Sequence, residues 1–184
     1  MPIPDRLRVP PISSELVGKL SDLCDQIEDA LESGDNAEDL LAEWHRHAGR
    51  KCEPHEFTSY WKSTDKEQFV RDVLNPLPQF VHDITYVEAS AVLESLTSAE
   101  LEENETHYYL HWLETQFPSS NMSDLIYWPD EWFGDASLFR DAGGAFKPEA
   151  ELTTDQILAY AMEKSGRSLT DRPANVALPF PLPQ

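Results

Sequence analysis

Ser123-Asp124-Leu125-Ile126-Tyr127-Trp128-Pro129 decides how this chain is read. Two aliphatic residues and two adjacent aromatics stand between an acid and a proline. Upstream, a helical pattern stops at Phe117-Pro118, and residues 118–123 form a polar loop. The stretch is too short for an ordinary helix, and no other segment offers it a partner strand, so it predicts a single helical turn. With no pair of alternating runs joined by a hairpin turn, the chain as a whole reads as all-α.

Periodicity on either side agrees. Leu16, Leu20, Leu23, Ile27 and Leu31 repeat at helical spacing, between the start signal Ser13-Ser14-Glu15 and the stop at Gly34. A second helix is expected over 36–48, with Leu40, Leu41 and Trp44 apolar, and a short third element over 55–61. Ser63-Thr64-Asp65 caps a fourth helix whose buried face is Phe69, Val70, Val73 and Leu74. Asn75-Pro76 stops it, and a module boundary is expected at 76–82. Thr85 opens a helix with Tyr86, Ala89, Val92, Leu93 and Leu96 on one face. Residues 100–117 form a longer helix with Leu110, Leu113 and Phe117 inward. Residues 130–150, acidic and glycine-containing, read as loop. Thr153-Thr154-Asp155 starts a last helix, which carries Lys164 in its final turn and ends at Gly166. The proline-rich ends, 1–12 and from about 172, read as an extended lead-in and a tail. Val176, Leu178, Phe180 and Leu182 of that tail could lie along a groove of the body.

The chain has 184 residues and a net charge of −20, with acids distributed along its length. Between Arg71 and Arg140 lie 68 residues with no Lys or Arg and thirteen Asp or Glu. Such a surface repels nucleic acid and anionic membrane and attracts basic proteins. Two cysteines make no disulfide framework. The sequence shows neither a leader nor an apolar run of membrane-spanning length, so a cytoplasmic location is expected.

Residues 83–170 resemble the colicin and pyocin DNase immunity proteins, small acidic inhibitors of HNH-type bacteriocin nucleases. The resemblance lies in order and spacing: a helix ending Thr115-Gln116-Phe117-Pro118, the Ser123–Pro129 segment, Asp130-Glu131, and a last helix ending Lys164-Ser165-Gly166-Arg167. Trp128 stands where the family has a second Tyr, and the loop before the segment is longer. Residues 130–151 also exceed what a minimal family member needs, and 1–82 have no counterpart in the small inhibitors. The resemblance implies a four-helix bundle with a short third helix over 83–170, after an N-terminal helical module over 1–82 and before a tail over 171–184. It implies a nuclease-binding hot spot at Asp124, Tyr127, Trp128 and Pro129. It places partner selectivity on Glu103, Asn104, Glu105, His107, Tyr108, His111 and Trp112 of the preceding helix. The implied function is inhibition of a cognate basic HNH-type DNase toxin, with no catalysis and no cofactor; the alternative is a non-catalytic acidic adaptor on the same fold.

The residue chemistry bears on these roles independently. Tyr and Trp bury large rigid surfaces and keep one polar handle, which suits the centre of an interface. Asp124 could pair with a basic partner or cap its own short helix, while Leu125 and Ile126 read as core. His107 and His111, four apart, read as a solvated face rather than a metal pair. His45, His47, Cys52 and His55, with Arg46, Arg50 and Lys51 among them, match no zinc spacing.

Overall fold

The computed structural model describes residues 1–98 and 100–183. Ala99, within the expected second half, and Gln184, at the end of the expected tail, lie outside the described residues. The chain is all-α: among the described residues there are ten α-helices, three short 3-10 turns and no strand beyond two isolated bridges. It divides into two compact units. One comprises 8–78 with 102–108; the other comprises 1–7, 79–101 and 109–184. The expected division at 76–82 therefore needs correction at the ends. Residues 1–7 and the tail both belong with the later unit, and 102–108 belong with the earlier one.

In the 8–78 unit, α1 (Ser14–Ser33) packs against α2 (Glu38–His45), α3 (Pro54–Phe57) and α4 (Lys66–Leu74). Its buried face is Val17, Leu20, Leu23, Cys24 and Ile27. Leu16 and Leu31, the outer members of the expected stripe, are only half-buried. Gly34 ends α1 at a φ of 76°, where an L-residue would be strained, and Asp35 N–H closes back on Ala30 O at 2.8 Å. Trp44 sits at the centre, edge-on to Phe57 at 4.9 Å and stacked on Phe69 at 5.9 Å. Asp65 caps α4 by accepting from Gln68 N. His45 is a structural link, since Cys52 N–H donates to its Nε2 at 3.0 Å.

In the other unit, α5 (Tyr86–Thr97) and α10 (Thr154–Ser165) pack together, and each starts with a capping box. Tyr86 Oη donates to Asp155 Oδ1 at 2.8 Å between them. The part of helix α6 (Glu103–Gln116) that belongs here, from Tyr109 on, buries Tyr109, Trp112, Leu113 and Gln116. Of the expected Leu110, Leu113, Phe117 stripe, Leu113 and Phe117 are fully buried and Leu110 is half-buried. Gln116, fully buried, accepts from Val81 N and donates to Gln79 O, both at 2.8 Å, holding the extended 79–81 segment. Arg167 also donates to Gln116 O, at 2.9 Å, and to Val81 O, and its guanidinium lies 4.2 Å from the Phe80 ring centroid.

Three further expectations are corrected. The lead-in is docked: a 3-10 turn at Asp5–Leu7 buries Leu7, and Ile3 is buried as well. Arg6 reaches Glu88 and Asp83. Residues 130–150 are not a loop. They hold α8 (Pro129–Phe133), α9 (Ala136–Phe139) and a 3-10 turn at Pro148–Ala150; with α7 (Met122–Tyr127), three short α-helices stand between α6 and α10 where one was expected. Pro129 at the first position starts α8 and Gly134, at positive φ, ends it; Asp135 caps α9. The tail is held as well. Phe180 joins an aromatic cluster with Phe133 and Phe139, and its backbone N–H donates to Tyr160 Oη at 3.0 Å. Val176 and Leu178 line a groove with Tyr86 and Met162, as the tail's apolar residues could, whereas Leu182 is exposed. No helix among the described residues is long and apolar enough to cross a membrane.

Candidate functional site

The Ser123–Pro129 segment becomes α7 (Met122–Tyr127) and the start of α8. Two residues at positive φ, Ser119 and Asn121, turn the chain out of α6 and into α7. Met122 and Leu125, at i and i+3, are buried on one face of α7, and Pro129, the first residue of α8, is buried as well. Tyr127 and Trp128 lie off that face and remain 44% and 52% exposed. Trp128 is at once the C-cap of α7 and the N-cap of α8, at φ −135° and ψ 53°. The aromatic pair therefore occupies a corner between two short helices.

The corner is braced from both sides. Trp132 Nε1 donates to Ser120 O at 2.6 Å, and Ser120 Oγ donates to Phe117 O at 2.6 Å. Arg140 Nε donates to the buried Asp130 carboxylate at 2.5 Å, and this bond holds the Asp130 carboxyl below the usual carboxylate range. Asp124 is half-buried, and its carboxylate accepts from Asn121 Nδ2 rather than from a helix amide, so the capping role considered for it is not realised. Partial burial raises the Tyr127 phenol pKa, so it remains a neutral hydrogen-bonding group at neutral pH.

A groove of about 890 Å³ opens beside Tyr127. Leu125 and Ile157 line it at buried positions, Tyr127 and Phe146 are exposed beside it, and Glu151 is its one charged lining residue among the described residues. Phe146, Glu151 and Leu152 were not singled out by sequence reasoning. The available signal was a lone aromatic in the Gly- and Asp-containing run 141–147.

The expected helix residues divide between the units. Glu103, Asn104, Glu105, His107 and Tyr108 belong with 8–78, and His111, Trp112, Asp124, Tyr127, Trp128 and Pro129 belong with the other unit. Glu103, His107 and His111 are exposed, and Glu105 and Tyr108 half-buried. His107 Nδ1 lies 2.8 Å from Asp72 Oδ2. Asn104, Trp112 and Pro129 are corrected as contact residues, because all three are buried. Asn104 O accepts from Asn75 Nδ2 at 2.8 Å, and Trp112 belongs to the inner face of α6. Among the described residues no group of three or more His, Cys, Asp or Glu side chains is placed to hold a metal ion. Comparison with protein-family models, with curated proteins and with solved structures gave no match.

Proposed function

We propose that this protein is a non-catalytic inhibitor of the immunity type, which binds a basic HNH-type DNase toxin through the Tyr127–Trp128 corner. One observation carries the reading: two adjacent aromatic side chains stay in water while the residues that anchor them are buried. An exposed aromatic pair costs solvation free energy unless a partner covers it. Rings fixed on a braced corner lose little conformational freedom on binding, as hot-spot residues should. The net charge of −20 and the 68-residue stretch without a cation supply attraction for a positively charged, nucleic-acid-binding face. The inhibitor then works by occupying that face and repelling the DNA backbone, so none of its side chains need reach the nuclease's catalytic centre.

The test is a plasmid-cleavage assay with a panel of HNH-type DNases, paired with rescue of cells expressing them. Inhibition of at least one member, abolished in a Tyr127→Ala, Trp128→Ala double variant that melts like the parent, is the expected result. Failure to inhibit any nuclease or to rescue any strain would overturn it. Capture of a basic non-nuclease protein through the same corner would favour the acidic adaptor instead.

A further inference from the structure

We propose that the groove beside Tyr127 receives a basic, apolar-flanked segment of the partner protein, with a Lys or Arg of that segment seated against Glu151. The inference rests on the reading above, that a protein partner covers the Tyr127–Trp128 corner.

Charge complementarity selects this occupant. Glu151 is exposed, is the single charged side chain lining the groove, and pairs with no cation among the described residues. Lys147, one residue before the Pro148–Ala150 turn, is committed elsewhere: its Nζ donates to Ser137 O at 2.7 Å. Two helix ends also border the groove, with opposite polarity. Thr97 is the last residue of α5, and the carbonyls of that turn are already used: Thr97 Oγ1 donates to Leu93 O at 3.0 Å and Ser98 Oγ to Ser95 O at 2.9 Å. Thr153 and Thr154 mark the amide end of α10, but its capping box already uses polar groups there. Gln156 N donates to Thr153 Oγ1 at 3.3 Å, and Thr153 N to Gln156 Oε1 at 2.9 Å. With both helix ends satisfied by their own side chains, Glu151 is the group that selects a cation.

Shape and chemistry rule out a bare cation as the best ligand. Phe146 is 41% exposed and Tyr127 44%, and both line the groove. These rings gain from apolar neighbours of the cation, and a guanidinium or ammonium over either ring adds a cation–π contact. A volume of about 890 Å³ holds several side chains. Glu151 is well placed to fix register, because buried Ala150 anchors the turn just before it and the α10 cap begins two residues later.

The experiment is amide chemical-shift mapping on the full chain with four probes at equal ionic strength. These are the peptide acetyl-Leu-Arg-Phe-Lys-Leu-amide, a version with Glu for both cations, a version with Ser for the three apolar residues, and spermidine. The basic apolar peptide should shift the amides of Tyr127, Phe146, Glu151 and Leu152, and the other three probes should do so much less. Glu151→Gln should weaken the peptide by about two- to fivefold, the range of an exposed ion pair, and Phe146→Ala should weaken it further; both sites are exposed, and thermal melts confirm folding. Equal shifts from the acidic peptide, the Ser peptide or spermidine would overturn the proposal, as would shifts clustered away from these four residues. The outcome separates from that of the function. A nuclease inhibited equally by parent, Glu151→Gln and Phe146→Ala refutes the groove alone. A peptide seated in the groove with no nuclease inhibited refutes the toxin reading alone.

Discussion

Trp132 Nε1 donates to the backbone carbonyl of Ser120 at 2.6 Å, tying α8 to the loop that precedes α7. Tyr127 and Trp128 lie between these two points, so the bond fixes the corner that displays them. Ser120 is fully buried, and loss of the donor leaves its carbonyl without this partner. Trp132→Phe should therefore lower stability by about 1–3 kcal/mol in urea unfolding. Tyr127→Ala and Trp128→Ala, at exposed positions, should change it by no more than about 0.5 kcal/mol. A reversed order would mean that the aromatic pair is core and that the brace is dispensable.

Acid should release the N-terminal segment before it unfolds the protein. Arg6 Nε and Nη2 donate to the two Glu88 oxygens at 2.6 and 2.7 Å, and chiefly for that reason the Glu88 carboxyl titrates at about 2 rather than 4.5. A carboxyl whose folded pKa is depressed adds stability above its unfolded pKa and loses that contribution as pH falls through the folded value. The parent should thus be more stable than Glu88→Gln at pH 7. In thermal melts the gap should narrow from about pH 4.5 downward and close near pH 2. A gap that stays constant over this range would show that the pair contributes no linked stability.

The elements legible in the sequence are those whose signals are local. Gly34 and Gly166 stop helices at positive φ, and Thr85 with Glu88 and Thr153 with Gln156 form the reciprocal caps of α5 and α10. What stayed hidden depends on contacts distant in sequence. Residues 1–7 look like an open lead-in until Tyr109 Oη is seen to donate to Leu7 O at 3.3 Å. Residues 130–150 look like an acidic loop because their anchors, Trp132, Phe133 and Phe139, are too sparse to make a periodic stripe. Those rings are satisfied by Tyr160 and Phe180, which lie far along the chain. At the candidate site, the exposure of Tyr127 and Trp128 is expected only through the hot-spot role that the resemblance implies, since the segment alone also allows both rings to be core. Packing is an open alternative for Trp112, but the burial of Asn104 is not legible, since α6 carries aromatic and polar residues around its whole circumference.

The two cysteines should be inert in the folded protein. Cys24 is fully buried, and burial, reinforced by Glu28 and Asp25, pushes its thiol up to about 12; burial also raises Cys52. Neither is a thiolate at neutral pH, and the thiolate is the reactive form. Ellman's reagent should find no thiol in the native protein and both in urea. Rapid labelling of the native protein would show that the core around Trp44 opens readily.

Charge and aromatic contact should separate kinetically once a nuclease is in hand. The acids act at a distance, before the surfaces touch, and salt limits their reach to roughly 8–10 Å at physiological strength. Association should therefore slow steeply as salt rises, while dissociation changes little. Tyr127 and Trp128 act only after contact. Trp128→Ala should leave the association rate and its salt slope almost unchanged and raise the dissociation rate, at a loss of about 2 kcal/mol or more. Glu151→Gln carries both kinds of term if a partner cation seats against it, so it should lower the association rate slightly and raise the dissociation rate by a few fold. Stopped-flow at two salt concentrations on parent and both variants resolves these effects. Association indifferent to salt would remove the steering role of the 68-residue acidic stretch. Unchanged dissociation from Trp128→Ala would move the contact surface away from the corner between α7 and α8.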